Sequence, residues 1–193
     1  MKKLTKMMLT KWHYFEHKII DFEDINFLTG KNSSGKSTLI DALQVVLLGE
    51  TDGTSFNKAA DIKATRSFTS YIVGELGDDI NGGEKSLRGG KEFTTQLVCE
   101  FKDTMNDEYF CIGILVDSYS DMANAKRTFF RLRDRLDESD FIYDNQPRNI
   151  NQFKGWCREK YGKDDKAIKF MDTNNEYRQT ILSMYNVHDR KMF

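Results

Sequence analysis

The sequence predicts an α/β protein. A strand, a glycine-bearing loop and a buried helix come first, a mainly antiparallel β lobe adjoins them, and helices follow. Three observations predict this. Residues 37–48 (STLIDALQVVLL) are an apolar cylinder with one narrow polar stripe, Asp41 and Gln44, the pattern of a helix covered on most sides. Residues 93–133 hold three β-type runs whose short connections suit an antiparallel meander. Residues 150–185 return to helical spacing.

In chain order, residues 17–22 (HKIIDF) and 25–29 (INFLT) read as two short strands around a turn at Glu23-Asp24. Gly49 closes the helix that follows. Residues 50–92 hold seven of the 13 glycines and read as loops with one short strand, SYIVG, at 70–74. In 93–101, Phe93, Thr95, Leu97, Cys99 and Phe101 alternate with Thr94, Gln96, Val98 and Glu100, as on a half-buried strand. The continuous apolar run 109–117 (YFCIGILVD) reads as a central strand, and 126–133 (KRTFFRLR) as a third. Residues 150–161 place Ile150, Phe153, Cys157 and Tyr161 on one helical face, with Gly162 as the stop. Residues 166–170 read as a short strand. A last amphipathic helix spans 174–185, capped by Thr173 or Asn174. The whole, 1–193, reads as one domain: a core over 1–50, a loop-rich insertion over 50–92, a β lobe over 93–145 and a helical part over 146–193.

Composition narrows the function classes. With 29 Lys and Arg against 30 Asp and Glu, the net charge is −1, which argues against holding nucleic acid by bulk positive charge. Aromatics at 12% and a single proline, Pro147, exclude a disordered chain or a proline-rich stalk. Cys99, Cys111 and Cys157 are widely spaced and odd in number, which fits a reducing compartment without a disulfide framework. None of the three histidines sits at zinc-ligand spacing from a cysteine. No apolar run approaches membrane length, so a cytoplasmic location without membrane contact is expected.

Residues 29–38 read TGKNSSGKST, and Gly30, Gly35, Lys36 and Ser37 fit G-x-x-x-x-G-K-[ST]. The chemistry needs those residues at that spacing. Backbone N–H groups of a loop opening into a helix form an anion nest, and the glycines let the backbone approach a phosphate chain. Lys36 is placed for the β- and γ-phosphates and the Ser37 hydroxyl for Mg²⁺; the expected nucleotide-binding stretch is Gly30, Lys31, Asn32, Ser33, Ser34, Gly35, Lys36, Ser37 and Thr38. A self-sufficient P-loop enzyme also needs an acidic residue at a strand end, and Asp117 is the candidate here. A GTPase reading lacks N-K-x-D, since residues 57–60 read NKAA.

The stretch FLTGKNSSGKSTLIDALQVVLLG (27–49) resembles the N-terminal P-loop segment of SMC-like ABC-type ATPase heads. Those have G-x-N-G-S-G-K-S followed by L-[IL]-D-A-[IL]; Asn32, Leu39, Ile40, Asp41, Ala42 and Leu43 match, and Ser33 stands where glycine is usual. Within that family the chain is most similar to the Wadjet JetC and MukB-like group, through KWHYFEHKIIDF (11–22), FNKAA (56–60), SYIVGELG (70–77) and EYRQTIL (176–182). The resemblance implies ATP and Mg²⁺ binding by the Walker A half of a DNA-acting ATPase, in DNA repair, chromosome maintenance or plasmid defence. It implies that the signature motif and the Walker B acids come from a C-terminal half and a second head, with DNA and accessory subunits in the assembly. No signature motif or heptad run is present, and Gln96 falls too early for the γ-phosphate-sensing glutamine, so the chain reads as an N-terminal half-head, either cut or naturally truncated.

Other residues follow from the same reading. Arg127, Arg131, Arg133 and Arg135 share a strand face, with Arg131 and Arg133 the candidates for DNA phosphates; the alternative is a solvated face offset by Asp134, Asp137 and Glu138. The resemblance also brings Arg66 toward nucleotide or DNA, and Lys11, Trp12 and His13 toward adenine and phosphates. Two rival classes stay open: a complete small P-loop kinase or NTPase using Asp117, and a non-catalytic module in which nucleotide only sets a conformation.

Overall fold

A computed structural model describes residues 1–31, 34–51, 56, 67–78, 84–120 and 125–185. Its centre is a six-stranded sheet in the order β10-β7-β6-β5-β1-β2, with every neighbouring pair antiparallel. The strands are β1 (Lys2–Trp12), β2 (Phe15–Asp21), β5 (Phe93–Asp103), β6 (Glu108–Ser118), β7 (Lys126–Leu132) and β10 (Ile168–Met171). Two small hairpins stand apart from it, β3 (Glu75–Asp78) with β4 (Glu84–Ser86), and β8 (Ile142–Tyr143) with β9 (Gln146–Pro147). The fold is therefore α/β with a mainly antiparallel sheet, as expected.

Both faces of the sheet are covered. On one, Met7, Leu9, Leu97, Cys99, Ile112, Ile114 and Phe129 pack with helices α1 (Lys36–Leu48), α2 (Phe68–Val73) and α5 (Asn174–Met184). On the other, Met8, Val98, Cys111, Leu115 and Phe130 pack with α3 (Glu138–Phe141) and α4 (Ile150–Tyr161). Period-2 alternation sends consecutive residues to opposite cores, as Met7 and Met8 show. The meander β5–β6–β7, the helices α1, α4 and α5, and the caps Gly49, Gly162 and Thr173 lie where the sequence places them.

The differences have physical causes. Residues 2–12 are a long inner strand, unread in a segment whose lysines mask the Met7-Met8-Leu9 centre. Residues 70–73 belong to a helix that Gly74 caps, because Ser67 and Ser70 build a reciprocal capping box that outweighs the β-branched pair Ile72-Val73. Strand β5 is buried on both faces, and several of its polar groups find partners inside, although the Gln96 Oε1 has none among the described residues. Gln96 Nε2 donates to the carbonyls of Phe141 (3.1 Å) and Arg148 (3.0 Å). Glu100 accepts from the Thr5 hydroxyl and the Leu136 N–H, both at 2.7 Å. The strand expected over 166–170 starts two residues later.

Residues 25–29 form no strand; no described strand lies alongside to complete a ladder. Asn26 instead closes a turn with the backbone of Glu23. Ile25 and Phe27 are 75% and 86% exposed. Helix α1 is also more open than expected, with Ile40 exposed and Leu43 and Leu47 half-buried. Among the described residues no helix is long and apolar enough to cross a membrane.

Candidate nucleotide-binding site

The two ends of α1 are treated differently. At its C-terminal end the last carbonyls, which have no intrahelical partner, are bonded by α5. The Tyr177 hydroxyl donates to Val46 O (2.7 Å), Arg178 Nε to Leu48 O (2.9 Å) and Asn174 Nδ2 to Gly49 O (2.8 Å). At the N-terminal end Gly35 is the cap residue in a left-handed conformation (φ 97°), no side chain caps it, and the first turn carries no acid. The positive end of the helix dipole is left for an anion.

The loop before it is folded around its own lysine. Lys36 Nζ donates to Gly30 O and Lys31 O, both at 2.7 Å, and to Ser34 Oγ at 3.4 Å. A side chain at Gly30 (φ 154°) would begin 2.5 Å from Ser34 Oγ. One at Gly35 would begin 2.3 Å from Tyr14 Oη and 3.1 Å from Phe15 Cζ. Gly30 is thus favoured by φ, since the Ser34 hydroxyl could rotate away, whereas at Gly35 φ and the crowding by two aromatic side chains both act. Ser37 is half-buried and Thr38 is buried in the first turn. Asn32, Ser33 and Arg66 lie outside the described residues.

The hairpin turn between β1 and β2 braces this loop. Trp12 is fully buried, so it packs rather than faces a nucleotide, and its Nε1–H donates to Thr38 O at 3.0 Å. Its ring stacks on Tyr71 of α2, centroids 4.7 Å apart, and the Tyr71 hydroxyl donates to Asp41 of α1. Tyr14 and Phe15 touch Gly35 from the same turn. Lys11 pairs with Glu16, and Arg88 pairs with Glu16 at 2.8 Å. Burial pushes the Glu16 carboxyl up, but the Lys11 and Arg88 bonds and charges outweigh it and hold the group below its ordinary range. Sequence reasoning missed Tyr14, Phe15 and Arg88 as parts of the site. The aromatic run 12–15 was the available signal; Arg88, in a glycine-rich stretch, offered none.

The remaining candidates sit elsewhere. Asp117 is the penultimate residue of β6, where its carboxylate accepts from the Thr94 hydroxyl (2.8 Å) and from the Ile150 N–H (3.1 and 3.2 Å to its two oxygens), fastening the start of α4. Burial raises its pKa above the ordinary value, against the pull of those bonds. It lines an open cleft of about 440 Å³ together with Lys11, Glu16, Arg88, Asn149 and Gln152, and no described residue of 30–38 lines that cleft. Arg131 donates to the carbonyls of Asp165 (3.2 Å) and Lys166 (3.0 Å), and Arg133 pairs with both oxygens of Glu108 at 2.7 and 2.6 Å. Arg127 bonds the Thr51 hydroxyl, and Arg135 lies over the Tyr109 ring. The strand arginines therefore have protein partners.

Comparison with known proteins agrees with the loop geometry. Residues 4–63 match the family model described as the P-loop containing region of AAA domain. The match spans β1, β2, the loop and α1. Over 92% of its length the chain is 24% identical to the SbcC component of the SbcCD nuclease of Staphylococcus haemolyticus (strain JCSC1435), and it spans 17% of that relative. Residues 4–63 are thus similar to the P-loop containing region of AAA domains, and the chain to one part of an SbcC protein.

Proposed function

We propose that this chain binds ATP with Mg²⁺ as the Walker A part of an SMC-like, DNA-acting ATPase. One observation carries the reading: an uncapped helix N-terminus preceded by a loop whose own lysine ammonium already occupies its centre. The residues fit a phosphate chain. On binding, Lys36 exchanges the carbonyls of Gly30 and Lys31 for phosphate oxygens, the amides after Gly35 supply donors, and the Ser37 hydroxyl holds the metal. Magnesium supplies charge neutralisation on the phosphates. Gly30, Lys31, Ser34 and Thr38 shape the loop, with Asn32 and Ser33 between them.

Hydrolysis needs an acid at the loop, and Asp117 does not serve there, since its oxygens are engaged with Thr94 and the start of α4. The acids and the signature motif are assigned to a C-terminal half and a second head. The exposed Ile25, Phe27 and Leu28 support this: an apolar stretch beside the loop awaits a neighbouring strand. The cytoplasm, accessory subunits and a role in DNA repair, chromosome maintenance or plasmid defence, with the JetC and MukB-like grouping, belong to the same proposal. DNA contact through Arg131 and Arg133 requires both to leave their protein partners; unchanged DNA affinity of the assembled protein after Glu substitution at both removes it.

The test is ATP binding and turnover by the chain and by Lys36→Ala, alone and with the C-terminal half added. Binding that is lost in Lys36→Ala, with turnover only after addition, is the expected result. Turnover by the chain alone would overturn the half-site reading and return Asp117 to the centre. Absence of nucleotide binding in every combination would overturn the ATP reading itself.

A further inference from the structure

We infer that Arg88 is a positioning residue for the phosphate-binding loop, acting through the β1–β2 hairpin turn; this rests on the nucleotide reading above only for its functional consequence. The turn is strained. Lys11 (φ 55°) and His13 (φ 48°) are both left-handed although neither is glycine, two such residues within three positions. Such conformations persist only where the surroundings over-determine them. Here the surroundings are specific. The His13 N–H donates to Tyr71 O at 2.7 Å, and the Thr95 hydroxyl donates to Lys11 O at 3.0 Å. Arg88, only 5% exposed, supplies the rest. One terminal nitrogen donates to Ile72 O (3.2 Å) near the end of α2, and the other reaches His13 O, Phe15 O (3.5 Å) and Glu16 Oε1 (2.8 Å).

A planar guanidinium suits this task and an ammonium does not. Its two terminal nitrogens diverge at fixed angles, so one side chain ties α2 to the turn. Across the turn, Tyr14 and Phe15 occupy the space beside Gly35 that a side chain there would fill, and Trp12 bonds Thr38 O in the first turn of α1. The connection is continuous and short: Arg88 fixes the carbonyls of His13 and Phe15, these fix Tyr14 and Phe15, and those rings limit where Gly35 lies. Arg88 bonds no described residue of the loop, so its effect on the loop passes through the turn.

Hydrogen exchange followed by peptide, without nucleotide, tests this in Arg88→Met and Arg88→Lys. Arg88→Met is expected to raise exchange at least tenfold over both 11–16 and 35–40, while 150–161 and 174–184 keep the wild-type rate. Arg88→Lys is expected to restore part of the protection. Tyr14→Ala should loosen 35–40 alone, and Arg88→Met should add less there in the Tyr14→Ala background than in wild type, because both act partly on one path and only the Phe15 branch remains. Faster exchange over 11–16 and 68–74 with 35–40 unchanged would overturn the inference, since Arg88 would then hold only its own neighbours. If Arg88→Met fails to fold, Arg88→Lys and Tyr14→Ala decide alone: unchanged 35–40 in both overturns it. A fluorescent ATP analogue adds the functional readout, with Kd expected to rise about tenfold in Arg88→Met. Wild-type affinity there, with Lys36→Ala binding abolished, removes the functional consequence while leaving the nucleotide reading intact. No binding by wild type removes the nucleotide reading, and the exchange data still judge Arg88.

Discussion

Replacing Trp12 by Phe isolates the contact that ties the hairpin to the nucleotide loop. The substitution removes the Nε1–H···O bond to Thr38 and keeps a ring able to stack on Tyr71. The bond lies in a fully buried setting and contributes about 1 kcal/mol net. Thr38 O retains its helical partner, so no orphan acceptor adds to the loss. The smaller ring leaves a void against Leu39, Phe68 and Tyr71, which costs roughly a further 1–3 kcal/mol depending on how far they collapse. The total is about 2–4 kcal/mol, a large share of the roughly 5–15 kcal/mol typical of a domain. Urea unfolding followed by circular dichroism measures it. With a slope of about 2 kcal/mol per molar, the midpoint falls by about 1–2 M at unchanged slope. Trp156, on α4, remains as a fluorescence reporter of the opposite core. A midpoint within 0.2 M (about 0.4 kcal/mol) of wild type would refute the view that Trp12 anchors the first turn of α1.

Three other substitutions probe separate parts. Gly35→Ala introduces a left-handed alanine, costing about 1–2 kcal/mol, and drives its methyl into Tyr14; adding Tyr14→Ala should recover only the steric part, as read from thermal melts. Asp117→Asn keeps an acceptor for Thr94 and the Ile150 N–H. Because the Asp117 pKa is raised on folding, the native state binds the extra proton, so this group's contribution falls as pH rises from its unfolded to its native value; urea midpoints against pH should lose that fall in the variant. Ile25→Ser with Phe27→Ser should lower self-association in sedimentation velocity without shifting the thermal midpoint, since both side chains are exposed; unchanged association would remove them as the sticky surface.

The sequence was most legible where one local rule acted without rivals. The apolar meander β5–β6–β7 shows its period and its turns, and α4 and α5 carry caps, faces and stops that agree. At 30–38 the pattern G-x-x-x-x-G-K-[ST] reads as a loop opening into a helix, and Gly35 and Lys36 stand at that junction in the structure. Illegible parts depend on distant partners. Gln96 and Glu100 look solvent-facing in a strand and are buried, since carbonyls more than 40 residues away and a backbone N–H at Leu136 receive them. The segment 68–73 holds residues suited to either state, and two serine hydroxyls decide it for helix. Strand β1 escaped because methionine and lysine give little β signal, and its place between β2 and β5 supplies what its own residues do not.

Residues 25–29 carry the sharper lesson. Their composition is that of a strand, and the reading of a phosphate loop takes support from a strand before it. In the structure they are irregular and pair with no described strand, and the loop keeps its shape regardless. The support comes from the other direction: Trp12, Tyr14 and Phe15 hold the helix side of the loop from a hairpin that ends at Asp21. Backbone groups of an extended, apolar segment cannot stay unpaired in a buried setting. A second chain segment that pairs with 25–29 would therefore bury Ile25 and Phe27 and fix Gly30 from the strand side at once. Binding of that segment and binding of nucleotide would then share the ordering of one loop, so each should tighten the other by the same factor. Measuring the affinity of the C-terminal half with and without ATP, and of ATP with and without that half, closes the cycle; two unequal factors would mean the loop is not the shared element.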